Sequence, residues 1–262
     1  MARQPDSVWV KRLVEAAALK PGETVLDIGA GYGALTKPSL AAVRPGGKVV
    51  AVEKVRHPAD VLRRLRDVEV VHGDALQVPL PRCDAVVANP PFRILAPLVM
   101  RLLDAGFGRA VLVVPDEMAR RLAAKPKEED YGRLTVQVGV RAKVGRLFAI
   151  PPSAFDPRPG VACAALLLQP RQDPTAPPLL DAVLEAAWDQ RQRTLRHSLA
   201  PLAQRLGLPP QDVSDAVDLV QGRERTALEV SPYEYGAVAR LLAERVAARK
   251  GGPADGSSTG DA

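Results

Sequence analysis

Four short apolar segments alternate with stretches of helical composition in the first 90 residues, and this alternation constrains the fold more than any other feature of the chain. The segments are residues 24–28, 48–52, 68–71 and 83–88. Apolar runs of this length, separated by helices, are typical of a parallel sheet that is covered on both faces. The alternation continues to about residue 114. The sequence therefore predicts a doubly wound α/β sheet, in which ligands bind beyond the carboxyl ends of the strands.

Helical and strand patterns also flank this alternating region. An amphipathic helix is expected over residues 6–19, ahead of the first strand, and another helix over 115–124. Two further strands are expected over residues 144–150 and 161–168, joined by a proline-rich loop.

Composition changes at residues 172–178, a proline-bearing linker that precedes a mostly helical region at 181–249. The last twelve residues are rich in Gly and Ser, which is typical of disorder. We therefore predict a Rossmann-like domain over 1–172, a small C-terminal helical domain over 178–250, and a disordered tail over 251–262.

Charge and cysteine content narrow the class of protein. The formal net charge is +6, which indicates a polyanionic partner. No apolar run is long enough to span a membrane, and the N-terminus lacks a signal-peptide core. Cys83 and Cys163 lie in apolar segments without metal-ligand spacing and are predicted to be buried thiols, so a protein of the reducing cytoplasm is expected. The three histidines are isolated from other metal ligands, so no metal site is predicted.

A glycine-rich loop follows the first predicted strand, with residues 29–34 reading Gly-Ala-Gly-Tyr-Gly-Ala. Glycines let the backbone approach a ligand closely, and the N-terminus of the next helix favours an anionic group. Taken alone, the loop also fits the dinucleotide fingerprint G-x-G-x-x-G/A. Gly29, Ala30, Gly31 and Gly33 are therefore candidate cofactor-binding residues.

Acidic residues follow the next two strands. Glu53 is placed to accept hydrogen bonds from both hydroxyls of a ribose, about twenty residues after the glycine loop. Asp74, followed by Ala75, is placed to accept one from the amino group of an adenine. A single acid at such a position is more often a solvated turn residue. The glycine loop, Glu53 and Asp74 follow three consecutive predicted strands, and three suitable groups in a row are unlikely to occur by chance.

Asn89 is the only asparagine in the chain, and it begins the motif Asn89-Pro90-Pro91-Phe92 after the fourth strand. An Asn-Pro step also opens ordinary turns. At this position, however, the Asn89 side-chain oxygen and the Pro90 carbonyl can each accept an N–H of a weakly nucleophilic amino group, and Phe92 offers a face for stacking. Together with the preceding loop and acids, the motif indicates an S-adenosyl-L-methionine methyltransferase rather than a dehydrogenase. Asn89, Pro90 and Phe92 are its catalytic candidates, and Asn89 also lies beside the cofactor.

Two features outside these motifs are candidates for substrate binding. Phe155 lies in the proline-rich loop, where it either packs beneath the loop or forms the second face of a pocket for a base. Arg191, Arg193 and Arg196 cluster in one stretch and are candidate RNA-binding residues. The alternative for this cluster is a solvated, salt-bridged helix.

The motifs at the strand ends would fit many methyltransferases. Three other motifs are more specific to one family: Tyr131-Gly-Arg-Leu134, the proline-rich loop at 151–159, and Arg193-Thr-Leu-Arg-His-Ser-Leu199. With the strand-end motifs, they give the chain a resemblance to the ribosomal small-subunit RNA adenine dimethyltransferases from about residue 6 to about residue 242. The resemblance implies dimethylation of N6 of two adjacent adenosines in a hairpin loop near the 3' end of small-subunit, 16S-type rRNA. It also implies that Phe92 and Phe155 sandwich the base. A monomer that acts on the assembling small subunit is expected.

Three alternatives remain at this point. Two are enzymes, a large-subunit rRNA adenine methyltransferase and a protein-glutamine methyltransferase, which also uses an Asn-Pro-Pro-aromatic motif. The Phe155 loop and the 193–199 stretch argue against the glutamine substrate, because an amide side chain needs no base sandwich. The third is a ribosome-assembly binding factor whose catalysis is secondary.

Overall fold

The computed structural model of the chain describes residues 4–250, which form two compact units. The first unit contains the chain up to Ala124 and Glu129–Thr175, and the second contains Lys125–Glu128 and the chain from Ala176 onwards. The tail predicted to be disordered, 251–262, lies outside the described residues.

The loop Lys125–Glu128 belongs to the second unit, although it falls within the span predicted for the first domain. Lys127 accounts for this placement. Its Nζ lies 3.2 Å from Oε1 of Glu229, and its backbone amide donates to the carbonyl of Leu228 at 2.8 Å. Both contacts join residues about a hundred positions apart, which composition alone does not reveal.

The first unit is built on a sheet of seven strands. These are β2 Thr24–Ile28, β3 Lys48–Glu53, β4 Val68–His72, β5 Cys83–Ala88, β6 Phe107–Pro115, β7 Ala142–Ile150 and β9 Cys163–Pro170. A separate antiparallel pair is formed by β1 Gln4–Pro5 and β8 Phe155–Asp156. The strand order in the large sheet is β4-β3-β2-β5-β6-β9-β7. The predicted doubly wound α/β sheet is therefore confirmed.

The order of the strands creates a crevice at one edge of this sheet. The chain moves outwards from β2 through β3 to β4 and then returns to the other side of β2, where β5 pairs with it in parallel. Helices leave neighbouring strands in opposite directions at such a reversal and leave a gap beyond the strand ends. Only β9 runs antiparallel to its neighbours β6 and β7.

Eleven α-helices occur within residues 4–250. In the first unit they are α1 Ser7–Ala16, α2 Thr36–Val43, α3 Arg56–Leu62, α4 Leu95–Ala105, α5 Asp116–Ala123 and α6 Arg133–Arg141. In the second they are α7 Leu180–Asp189, α8 Leu195–Leu199, α9 Leu202–Leu206, α10 Pro210–Asp218 and α11 Pro232–Lys250. None of these described helices is long and apolar enough to cross a membrane.

Apolar side chains cover both faces of the sheet, as a buried parallel sheet requires. Successive strand residues alternate between two core clusters: Val86 and Ala88 belong to one, and Ala85 and Val87 to the other. Helices α4, α5 and α6 contribute to the first cluster, and α1 and α2 contribute to the second. The strands are thereby held rigidly, and the loops at their ends start from fixed positions.

Both cysteines are buried in strands of this sheet, which confirms the predicted buried thiols. Burial raises the pKa of the Cys83 thiol to about 12, and the neighbouring Asp84 carboxylate adds to the shift. A thiol with so high a pKa stays protonated and unreactive near neutral pH. The Cys83 thiol is therefore a packing group and not a nucleophile.

The second unit is helical, as its sequence predicts, and packs around a fully buried tyrosine. The Tyr235 hydroxyl donates to the carbonyl of Ala227 at 2.8 Å, and its ring lies 5.6 Å from that of Trp188. Arg225 and Glu234 form a two-point ion pair, with N–O distances of 2.6 and 3.0 Å. A paired, hydrogen-bonded charge of this kind fixes the chain that precedes α11.

Candidate active site

A cavity of about 370 Å³ opens beyond the carboxyl ends of β2, β3, β4 and β5. The residues that follow these four strands converge on it, at the reversal point of the strand order. Its lining residues are Ile28, Gly29, Val52, Glu53, Lys54, Val55, Gly73, Asp74, Ala75, Asn89, Pro90, Pro91, Phe92, Arg93 and Ile94. The cavity therefore brings together candidate residues from all four sequence motifs.

The glycine loop allows two strand ends to approach each other closely. Gly29 has a φ of +73°, and a Cβ added there would lie 3.3 Å from Cδ of Pro91 and 3.5 Å from Cα of Pro90. A larger residue would therefore be strained and would press the loop against the Asn-Pro-Pro turn. Of the four loop candidates, only Gly29 lines the cavity; Ala30, Gly31 and Gly33 are not among its lining residues, and Gly33 lines a separate cavity beside α1.

Glu53 is the last residue of β3 and is 5% exposed. Its Oε2 accepts the amide of Gly31 at 2.8 Å, and its Oε1 accepts the amide of Val55 at 2.7 Å. Each carboxylate oxygen has a second lone pair, so both remain able to accept a ligand hydroxyl. The side chain therefore joins the glycine loop to β3 and also faces the cavity.

Asp74 follows β4 and is held on both sides. Its Oδ1 accepts the amide of Leu76 at 2.9 Å, and its Oδ2 lies 2.9 Å from Nζ of Lys54. The Leu76 amide, followed by Lys54, lowers the pKa of this carboxyl. Asp74 is therefore an oriented acceptor. Its partner Lys54 was not recognised from the sequence, because a Lys after a strand is usually a solvated surface residue.

Asn89 is 9% exposed and lies at the end of β5, with Pro90 and Pro91 beside it on the cavity wall. The φ of each proline is restricted by its ring, which holds the turn in one conformation. Phe92 follows in a short 3₁₀ helix, Phe92–Ile94, and lines the same cavity. Its ring also packs against both core clusters. The four residues thus form one wall of the cavity.

Phe155 occupies a different position from the other candidates. It is the first residue of β8, is 4% exposed, and belongs to the core cluster on the α1 side of the sheet. It is not among the lining residues of the cavity, although Phe92 packs against the same cluster. This burial matches the packing alternative that the sequence left open.

A buried carboxylate beneath the cavity escaped the sequence analysis. Asp27 is 1% exposed, and its Oδ2 accepts the hydroxyl of Thr36 at 2.7 Å. Burial raises the pKa of Asp27 to about 7, and the charge of Glu53 contributes to the rise. Thr36 begins α2, so this bond fixes the far end of the glycine loop. The sequence offered one signal for this buried pair: Asp27 is the acidic residue of an otherwise apolar strand, and Thr36 follows it by nine residues.

The arginine cluster lies in the second unit. Arg191 and Arg193 lie in the turn before α8, and Arg196 lies within α8; all three are exposed. Only one of the three is therefore helical. None forms a salt bridge with another residue in the described range 4–250.

The model of the ribosomal RNA adenine dimethylase family matches residues 5–225 of the chain. A "Probable ribosomal RNA small subunit methyltransferase A" from Methanosphaera stadtmanae is 34% identical over 238 residues, which cover 88% of this chain and 87% of that protein. A protein with the same description from Thermococcus onnurineus is 33% identical, with coverages of 89% and 87%.

Solved structures show the same fold over both units. A dimethyladenosine transferase from Plasmodium falciparum has a TM-score of 0.80 and 22% identity, covering 92% of this chain and 98% of that chain. The 23S rRNA methyltransferase ErmE has a TM-score of 0.68 and 24% identity, with coverages of 92% and 99%. Identities this low support the fold alone. Because the family model spans most of the chain and relatives above 30% identity cover most of it, the chain belongs to the ribosomal RNA adenine dimethylase family.

Proposed function

We propose that this protein dimethylates N6 of two adjacent adenosines in a hairpin loop near the 3' end of small-subunit rRNA. The chain is an rRNA adenine dimethyltransferase by family, and S-adenosyl-L-methionine is the methyl donor. One observation carries the assignment to this site: the Asn89–Phe92 turn lines the same cavity as Glu53 and Asp74. A site for the amino group that receives the methyl and a site for the nucleoside of the cofactor therefore share one cavity.

The lining residues fit S-adenosyl-L-methionine. Glu53, which is 5% exposed, lines the cavity with both carboxylate oxygens able to accept the paired hydroxyls of a ribose, and Asp74 offers an oriented acceptor for an adenine amino group. The absence of a side chain at Gly29 lets the glycine loop lie against the Asn-Pro-Pro turn, so that both line the cavity. When bound, the cofactor supplies an electrophilic methyl group on a sulfonium. Glu53, Asp74, Ala75 and Gly29 are the residues that we propose contact it.

Asn89 and Pro90 are proposed to prepare the adenine nitrogen for attack. The N6 lone pair is delocalised into the ring, so the nitrogen becomes nucleophilic only as it approaches tetrahedral geometry. The Asn89 side-chain oxygen and the Pro90 carbonyl accept its two N–H groups, and these fixed dipoles stabilise the positive charge that develops. No strong general base is needed, because the nitrogen becomes acidic once it is methylated and its proton leaves to solvent.

The target base must leave its stack to reach this turn, at a cost of roughly a few kcal/mol. Stacking on the Phe92 ring offsets on the order of 1–3 kcal/mol of that cost. Phe155 is proposed as the second face of the base pocket. Because Phe155 is 4% exposed, this role requires the loop that carries it to shift when RNA binds.

The substrate is proposed to be the assembling small subunit, bound by a monomer in the cytoplasm. The net charge of +6 and the exposed, unbridged side chains of Arg191, Arg193 and Arg196 support a phosphate-binding surface larger than one nucleotide. Phosphate contacts orient RNA without reading its sequence, so the shape of the target must supply specificity.

The decisive experiment maps methylated adenosines after purified protein and S-adenosyl-L-methionine are added to unmethylated ribosomal subunits. We expect dimethylation at two adjacent adenosines in small-subunit rRNA and little on a naked hairpin of the same sequence. Modification of large subunits instead, or of a protein glutamine, would favour one of the other enzymes. Tight subunit binding without methylation would favour an assembly factor.

A further inference from the structure

Four charged side chains line the cavity: Glu53, Lys54, Asp74 and Arg93. Three of them are already engaged. Glu53 accepts two backbone amides, and Lys54 and Asp74 form an ion pair. Arg93 differs from these three. It is exposed and forms no hydrogen bond or salt bridge with any residue in the described range 4–250.

Arg93 is held close to the reacting end of the cavity by its place in the chain. It directly follows Phe92 within the 3₁₀ helix that begins after the Asn-Pro-Pro turn. Its charge also acts on another lining residue, because Arg93 contributes to the lowered pKa of Asp74, after Leu76 and Lys54. The guanidinium is thus a positive charge at the cavity that has no hydrogen-bond or ion-pair partner among residues 4–250.

The sign of this charge does not suit the methyl donor. S-adenosyl-L-methionine carries a sulfonium, an ammonium and one carboxylate, so its net charge is positive, and its binding gains no net attraction from a guanidinium. The other ligand of the site is RNA, whose phosphodiester groups are negative. A guanidinium presents its donors in a planar fork that matches two phosphate oxygens.

We propose that Arg93 binds the phosphodiester group next to the target adenosine and so positions the base against Phe92. This inference rests on the proposed function. A flipped nucleotide keeps its phosphates in the strand while its base enters the pocket, so the neighbouring phosphate lies at the cavity mouth. Because Arg93 is adjacent to Phe92, one short rigid segment contacts both the base and its backbone. Arg93 is therefore a positioning residue for RNA and not a cofactor ligand.

The test compares Arg93→Gln and Arg93→Lys with the parent and with Arg56→Gln as a matched control. Arg56 is an 85%-exposed arginine on α3 and does not line the cavity. Three quantities are measured: affinity for unmethylated small subunits at several salt concentrations, affinity for S-adenosyl-L-methionine, and single-turnover methylation. Binding is measured without the methyl donor, so that this readout does not depend on catalysis.

Arg93→Gln is expected to weaken RNA affinity about tenfold, as for loss of a charged hydrogen bond. The salt slope should fall by about 0.7–0.9, the contribution of one phosphate contact. Arg93→Lys should keep the parental slope and most of the affinity. Cofactor affinity should stay within about twofold of the parental value, and Arg56→Gln should match the parent throughout.

Parental RNA affinity and salt slope in Arg93→Gln would overturn the inference. So would a change confined to cofactor affinity, because Arg93 would then act on Asp74. If Arg93→Lys loses as much affinity as Arg93→Gln while both keep the parental slope, the guanidinium stacks on a base instead, and the inference is also wrong. Failure of the proposed function is distinct: the parent itself would then methylate no small-subunit adenosine, whatever the effect of Arg93.

Discussion

The carboxylate of Glu53 and the backbone amide of Gly31 are joined by a 2.8 Å hydrogen bond that ties the end of β3 to the glycine loop. The second carboxylate oxygen is bonded to the amide of Val55, so the side chain cannot rotate away from the cavity. One residue therefore shapes the loop and presents acceptors to a ligand. Replacing Glu53 should affect both roles.

Glu53→Ala is expected to weaken S-adenosyl-L-methionine binding by about 1–3 kcal/mol, because ligand hydroxyls and loop amides lose their acceptor. Glu53→Gln should lie between this variant and the parent, since its amide keeps one acceptor oxygen. Calorimetry measures both affinities, with Glu69→Gln, an exposed residue of β4, as the control. Parental affinity in Glu53→Ala would remove Glu53 from the site, and binding of NAD instead would overturn the cofactor assignment.

The buried Asp27 should make stability depend on pH. Its pKa is raised from 3.8 to about 7, so between these values the folded state keeps a proton that the unfolded state has lost. The free energy of unfolding therefore falls as pH rises from 4 to 7. Asp27→Asn cannot ionise, and its side-chain oxygen can still accept the Thr36 hydroxyl.

Urea unfolding at pH 5 and pH 8 tests this dependence. Asp27→Asn should gain stability relative to the parent at pH 8, by up to about 4 kcal/mol, since each pH unit is worth about 1.4 kcal/mol. The gain should shrink towards pH 5. Asp67→Asn, at an exposed carboxylate, should show the same difference at both pH values. A pH-independent difference for Asp27→Asn would show that Asp27 is ionised throughout.

The candidate site residues at the strand ends were predictable from the sequence because two independent signals coincide there. An apolar run marks each strand, and a residue with suitable chemistry follows it, so Glu53, Asp74 and Asn89 were found without coordinates and do line one cavity. The pair of Asp27 and Thr36 was not found. Its partners are an ordinary strand residue and an ordinary helix residue, and only the fold shows that they are buried together.

Helix α6 is an element that the local sequence pattern does not predict. Residues 133–141 are rich in β-branched side chains and contain Gly139, and both features disfavour a helix. Tertiary packing overrides this preference, because Val136, Val138 and Val140 are all buried. Burial of this kind depends on neighbours distant in the sequence, as does the attachment of Lys125–Glu128 to the second unit.

Asn89→Ala is expected to lower single-turnover methylation by roughly 10²-fold or more, the usual scale for loss of one preorganised polar group at a developing charge. Affinity for small subunits should change little, and so should the melting temperature. These binding and stability measurements are the control for misfolding. A near-parental rate would mean that Asn89 only shapes the turn.

Substitution of Phe155 separates stacking from packing. Phe155→Ala removes a ring from the core and is expected to cost about 3–5 kcal/mol of stability, which would obscure any effect on catalysis. Phe155→Leu keeps most of the volume, so we expect a folded protein with lower turnover on RNA and parental cofactor affinity. Phe148→Leu, which packs against the same cluster, is the control. Parental turnover in Phe155→Leu would assign Phe155 to packing alone.

The arginine cluster should control how salt affects RNA binding. If Arg191, Arg193 and Arg196 each contact a phosphate, replacing all three by Ala removes three contacts, and the slope of log affinity against log salt should fall by about 2–3. Cofactor affinity should not change. The matched control replaces the exposed arginines of α11 by Ala, with the same loss of charge: Arg240, Arg245 and Arg249.

The comparison of these two triple variants decides whether RNA binding depends on the position of the three arginines or only on the total positive charge. General attraction between the basic protein and RNA would flatten the slope equally in both. A surface that docks on the small subunit would make the first variant lose far more affinity than the second, and this is the result we expect. A parental slope in the variant lacking Arg191, Arg193 and Arg196 would show that these side chains are only solvated.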